Sequence, residues 1–332
     1  LSMSALSESR SMSGTHLSQH RFLFRLALAL SAIFAWTFLF QGFSFMSGSR
    51  DLGLALVVTL YALSQMIVFI LTPLTGAGLR HGVRRALVYG TLLAGFAFAM
   101  MGVLYAPGII SYSSAFDLLV GFVILMGLHR ALYWIPYATE RDALGAHTTH
   151  GLLREMLLAF MPLAGGFIID RMGGPGLLFA LSSLLIVFSL FPIARIPESY
   201  EGFEWSYGET LKQLFSPQNK SFLLLSFLDG VQGIALLLIW PLAAFMILDG
   251  SFLALGVVLT ATFLLSFLIR DSMRRLLKML RADRSTSILA TIAFSSWMFR
   301  LTAASPVQII VADLYYHAGV PAKRFSIDTS TF

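Results

Sequence analysis

Cysteine is absent from all 332 residues. That excludes disulfides, thiolate metal sites and a cysteine nucleophile, and leaves the compartment open. Charge is scarce as well. Asp, Glu, Lys and Arg together make 12% of the chain, against ~25% in a soluble globular domain. With 57% hydrophobic residues, a soluble fold of this length has no polar skin to wear, so the surplus apolar surface faces lipid. Motifs of catalysis are missing too. The chain has no HExxH, no GxSxG and no Walker-type Gly-Lys-Ser/Thr, so nothing points to a membrane protease, an esterase or an ATP-driven pump. An enzyme is not expected, and neither is a cofactor. His147 and His150 stand three apart with no further ligand evident, which does not read as a metal site. The net charge of +6 reads as cytoplasmic loop charge rather than as a nucleic-acid surface.

What the chain does contain is long apolar runs. A helix needs ~20 mostly apolar residues to cross ~30 Å of hydrocarbon. By that rule ten spans are predicted, at 22–46, 52–74, 85–106, 117–138, 151–170, 176–195, 221–246, 252–269, 286–304 and 306–321. The last two are the weakest, since Arg300 ends the ninth and the short tenth holds Asp313. Residues 1–20 are Ser-rich without an apolar period and read as a disordered tail. Residues 196–220 form the longest polar stretch after it. This gives a six-helix unit at 21–195, a linker at 196–220 and a partial unit of about four helices at 221–332, the count resting on the same length rule.

Cation placement tests the count. With the N-terminus in the cytoplasm, the inner side receives Arg80, Arg84, Arg85, Arg141, Arg195, Lys212, Lys220 and a run from Arg270 to Arg284, also holding Arg274, Arg275, Lys278 and Arg281. Outside lie Arg50 and Arg171, with Arg300 near an outer helix end. Alternate loops obey the positive-inside rule along the whole chain, and a miscounted helix would invert the pattern downstream. The run at 270–284 reads as a solvated or lipid-facing strip.

Several stretches carry a family resemblance. In the loop between spans two and three, Arg80, Gly82, Arg84 and Arg85 match a loop signature of the major facilitator superfamily, with Leu79 at its acidic position and Thr75 at its leading Gly. Pro162, Gly165 and Gly166 are similar to its Gly-Pro-rich signature on helix five, with Met161 where Gly is usual. ALYWIPY at 131–137 and LIWPL at 238–242 look like stretches of a poorly characterised bacterial branch. Six spans, a cytoplasmic linker and further spans also follow the superfamily's plan. The resemblance implies an all-α polytopic bundle in the plasma (bacterial inner) membrane. It implies secondary transport of a small solute by alternating access, with protons as a coupling ion. A full member has twelve spans, so the sequence reads as C-terminally truncated or frameshifted near its end. The alternative is a non-transporting membrane scaffold or sensor, or an inactive truncated transporter.

Polar residues inside spans carry the functional expectations, because a charge there costs ~2.5–3.5 kcal/mol by insertion scales. Asp229 lies roughly 13 Å into span seven at 1.5 Å per residue, with Gln232 one turn on. Gly230 and Gly233 interleave them and permit close approach or local unwinding. A substrate or proton site is one reading, and a structural hydrogen bond is the other. Arg130 lies roughly 12 Å into span four, and Glu155 starts span five. They read either as a structural pair or as a proton relay, with His129 able to titrate near neutral pH. Tyr133, Trp134 and Tyr137 read as interface anchors or as substrate-stacking rings. Trp240, beside Pro241, reads as an outer gate, and Trp36 and Gln41 as further cavity residues. Gln308 and Asp313 fall in the least certain span. The Gly82 turn with Arg84 and Arg85 reads as an inner latch, weakened by Leu79, or as plain topology-setting charge.

Overall fold

The computed structural model describes residues 3–106, 112–144, 151–202, 204–279 and 286–319. Among them there is helix and connecting turn, and no strand. The helices are α1 (Met3–Ser47), α2 (Arg50–Gly78), α3 (Val83–Leu104), α4 (Tyr112–Leu144), α5 (Leu152–Phe167) and α6 (Gly174–Phe188). They continue with the short α7 (Leu190–Ala194), α8 (Tyr207–Leu214), α9 (Lys220–Ile234), α10 (Trp240–Ile247), α11 (Phe252–Met279), α12 (Thr286–Leu301) and α13 (Pro306–Gly319). A five-residue π turn, 235–239, joins α9 to α10 in one span, and another, 168–172, extends α5. Among the described residues, eight helices are long and apolar enough to cross a membrane. The chain is a multi-pass α-helical membrane protein.

Spans one to eight match the predicted set. At the ninth and tenth predicted spans lie the helices α12 and α13, of 16 and 14 residues, which are not among those eight; they pack on each other, with α13 also against α11. The predicted tail is a correction. The helix of span one begins at Met3, and Ser13, Leu17 and His20 are buried. These three and Phe24 recur at intervals of four, three and four, so they continue the inward face of the span. Serine content hid that face, because only one of the three residues before Phe24 is apolar. The cation run is also reshaped. It was read as a loop, but α11 carries helix through Met279.

The core lies along α1. Phe24, Ala27, Leu28, Phe34, Ala35, Leu39 and Phe43 are all almost fully buried, and α1 packs against α2, α5 and α6. Of the apolar window of each span, 78% is buried in the first, against 17% in the second and 6% in the seventh. The first span is therefore central, and α2 and α9 are the most open. Between helices in lipid, hydrophobic transfer gives little drive, so close van der Waals contact through small residues does the work. The helix-five motif supplies it. A Cβ at Gly165 would strike the Leu30 carbonyl and the Phe34 ring, and one at Gly166 would lie 2.5 Å from the Phe252 carbonyl oxygen. Gly256 of α11 reciprocates against the Pro162 backbone. Thr260 adds to this contact by accepting the Leu163 N–H at 3.1 Å.

Candidate functional site

Polar constellations lie in the apolar bundle and at its linker end, and three of them centre on His20, Glu198 and Arg300. The first sits at the end of the molecule that carries the 196–220 linker, called here the linker end. His20 of α1 is fully buried, its Nδ1 bonded to the Ser189 carbonyl at 2.9 Å and its Nε2 to the Tyr133 hydroxyl at 3.0 Å. His129 places Nδ1 2.8 Å from the Gly90 carbonyl. Phe24 stands between the two imidazoles, with ring centroids 5.9 and 5.2 Å away, and stacks on Tyr133. The guanidinium of Arg21 lies over Trp134 at 4.5 Å and Tyr137 at 5.1 Å. Tyr133 and Tyr137 are buried, so both sequence readings of these rings, lipid-interface anchors or substrate-stacking surfaces, give way to helix-packing contacts. The tail reading of 1–20 hid His20, and Arg21 stands just before the first apolar run, where nothing marked it as a site residue.

Glu155 and Arg130 are not a pair. Glu155 bonds Arg25 of α1 through both carboxylate oxygens, at 3.2 and 3.4 Å. Arg130 lies with its guanidinium 5.3 Å from the centroid of Tyr61, and its Nε and Nη1 are buried without a hydrogen-bond acceptor. The expected pair fails because α5 packs on α1, which brings Arg25 to Glu155, while α4 packs on α2 and turns Arg130 towards Tyr61. Trp36 is enclosed edge-on by Tyr61 and Phe122, at 5.2 and 6.2 Å, which is core packing rather than cavity lining. Gln41 is half-buried on the same helix.

The loop motif forms the second constellation. Gly82 has φ 128°, a conformation that side chains other than glycine resist, and its N–H bonds the Leu79 carbonyl at 3.1 Å. The turn delivers Arg84 and Arg85 to Glu198, at 3.3 and 3.7 Å, and Arg84 also donates to the Ile196 carbonyl at 2.9 Å. The backbone seals the contact, with Val83 N–H on the Ser199 carbonyl at 2.9 Å. Ser199 in turn donates to Glu140 of α4. The acid missing at Leu79 is thus supplied by Glu198, more than a hundred residues later. Arg80 is exposed outside this clasp. Further along the linker, Ser206 and Glu209 form a reciprocal capping box at the start of α8. Hydrogen bonds from Ser206 hold the Glu209 carboxyl below its usual range.

The third constellation joins α10, α12 and α13. Arg300 donates to Asp313 through Nη2 at 2.7 Å and Nε at 3.2 Å, and both side chains are buried. The guanidinium is boxed by Trp240, Trp297 and Tyr316, with 5.1, 4.6 and 4.6 Å to the ring centroids. Gln232 donates to the Tyr316 hydroxyl. The structure therefore brings Gln232 and Trp240 into one cluster with Arg300 and Asp313. Asp229, one turn before Gln232, is exposed on α9. Gly230 and Gly233 have open space where a Cβ would stand, so they serve no close helix approach, contrary to the sequence expectation. Gln308 instead caps the start of α13, accepting the Ala304 N–H at 2.7 Å. Among the described residues no group of three His, Asp or Glu side chains is placed to hold a metal ion. His147 and His150 lie outside the described residues.

No protein-family model matches this sequence, and no curated sequence matches it. Among solved structures, the chain is similar to the crystal structure of a D-xylose-proton symporter, with a TM-score of 0.49 and 16% sequence identity over 93% of this chain and 79% of that one.

Proposed function

We propose that this chain is a secondary transporter of the major facilitator type, moving a small solute across the bacterial inner membrane by alternating access with proton coupling. The single observation that carries the reading is the cluster around Arg300 and Asp313, two buried side chains of opposite charge where α12 and α13 pack together, joined through Tyr316 to Gln232. Buried charges in a membrane protein are costly and mark solute or ion paths. Asp229 and Gln232 face the solute in this reading, and Asp229 and Asp313 are the proton acceptors. Protonation of Asp313 would release Arg300 within its aromatic box. With the N-terminus in the cytoplasm, the linker end is the inner side, and the Arg84–Glu198 clasp acts as an inner latch. The six helices of 21–195 rock against the partial bundle of 221–332 across the glycine seam of α5 and α11.

Solute-evoked currents from the full chain in proteoliposomes test the reading, across sugars, amino acids, organic anions and cationic drugs. A current whose pH dependence shifts or vanishes in Asp229→Asn, in protein that still folds, is the expected result. A silent panel from folded protein overturns it. The second reading is a non-transporting scaffold. The close packing of Trp36, Tyr133 and His129 in the first bundle favours it, because all three side chains are buried against neighbouring helices.

A further inference from the structure

The bundle has a cavity of about 710 Å³ at the linker end, between α2, α8 and the start of α9. Pockets that hold small molecules run to ~300–1,000 Å³, so this one admits a whole ligand. We propose that it binds a neutral amphiphile entering from the lipid leaflet at that end, with a single acyl chain and an uncharged, hydrogen-bonding head.

The walls dictate the class. Val68 and Phe69 of α2, Leu214 of α8 and Phe222 of α9 give an apolar interior. The polar groups on the wall are amides and hydroxyls, among them Gln65 and Gln213, and the lining contains no acid and no base. A charged ligand would be desolvated there without a counter-charge, which is expensive. An ester or hydroxyl head can use the amides. The Thr72 hydroxyl is already donated to the Val68 carbonyl at 2.7 Å, and the Asn219 amide to the Gln213 carbonyl at 2.7 Å. The Thr210 hydroxyl is donated to the Ser206 carbonyl at 3.0 Å, which leaves the two glutamines and the second N–H of Asn219 as the amide donors for a ligand.

The cavity is also held open by construction. The capping box fixes the first turn of α8, the Asn219–Gln213 bond ties its end to the start of α9, and Phe215 meets Phe69 edge-on at 6.4 Å. These contacts fix the turn between α8 and α9 and set one ring of it against Phe69 of α2 beside the cavity. Phe222 lies seven residues before Asp229, so the site is about 10 Å along α9 from that carboxylate at 1.5 Å per residue. It is a second site, independent of the proposed solute path.

The absence of native cysteine gives a direct test. Single-cysteine variants Val68→Cys and Thr72→Cys of the full chain, in lipid nanodiscs, are alkylated with N-ethylmaleimide in the presence of 1-monolauroylglycerol, laurate or dodecylammonium. Leu63→Cys, on the exposed face of the same helix, is the control. Monolauroylglycerol is expected to slow alkylation at 68 and 72 saturably, by about tenfold at nine times its dissociation constant. The charged chains at equal membrane mole fraction are expected to leave those rates unchanged, and position 63 is expected to ignore all three. Equal protection by the charged chains, equal protection at 63, or no protection by monolauroylglycerol at both cavity positions overturns the proposal. If one cavity variant fails to fold, the other decides.

Discussion

Glu155 of α5 grips Arg25 of α1 with both carboxylate oxygens, and the two residues stand 130 positions apart in the chain. The pair is buried on both sides. Removing one partner of a buried pair strands the other charge and costs about 3–5 kcal/mol. Glu155→Ala is therefore expected to lower the melting temperature of the detergent-purified protein strongly. Arg130→Met, which removes a guanidinium held over a ring instead of an acid, is expected to cost much less. Equal losses in the two variants would show that Arg130 carries an ionic partner of its own.

The clasp at Glu198 is partly exposed, since Arg84 and Arg85 retain 33% and 64% of their side-chain surface. Exposed ion pairs contribute roughly 0.2–1 kcal/mol each, so Glu198→Ala is expected to leave global stability nearly intact. Locally it should free the turn. Amide exchange at Val83, whose N–H is tied to Ser199, is expected to accelerate, and added salt should produce part of the same effect in the native chain. Unchanged exchange at Val83 would show that the backbone contact alone holds the turn.

Glycine has opposite roles in two helices. At Gly256 an added Cβ would collide with the Pro162 backbone, while at Gly230 and Gly233 it would meet open space. Gly256→Ala is expected to weaken the contact between α5 and α11 and to lower thermal stability. Gly230→Ala and Gly233→Ala are expected to be neutral or to stabilise α9 by up to about 1 kcal/mol, the helix-propensity difference. Melting curves of the three variants give the comparison, and a destabilised Gly233→Ala would reveal a neighbour on that face.

The capping box of α8 depends on pH in a defined direction. The Glu209 carboxyl titrates below its usual 4.5 because hydrogen bonds from Ser206 favour its charged form. A depressed carboxylate contributes stability that is present above the unfolded value and is lost as pH falls through the folded one. Amide exchange in residues 207–210 is thus expected to be pH-independent in its protection above about 4.5 and to lose protection below it. Glu209→Gln should abolish that acid step, whereas Ser206→Ala keeps the backbone N–H that donates to the carboxylate at 2.8 Å and should only shrink it. A step that survives in Glu209→Gln would assign it to another carboxyl.

The positions of eight spans were legible in the sequence. Apolar length and loop charge are local properties, read one segment at a time. The same is true of Gly82, whose place between two helices marked a tight turn, whereas the helix-five glycines were legible only as a family-like motif and their contacts came from the fold. Partner choice was not local. Every face of a membrane helix is apolar, so periodicity scarcely says which side meets which neighbour. That is why Glu155 was matched to Arg130 on the adjacent span instead of to Arg25, and why the acid absent at Leu79 went unreplaced until the fold brought Glu198 to it. Ser13, Leu17 and His20 show the same limit at the start of α1, where His20 belongs to a buried face because Ser189 and Tyr133 meet its ring nitrogens. The sequence alone determined that this chain crosses the membrane many times, because hydrocarbon accepts only long apolar helices. Which charges pair, which rings close over Arg300 and where a cavity remains were decided by tertiary packing, because each depends on the arrangement of helices far apart in the chain.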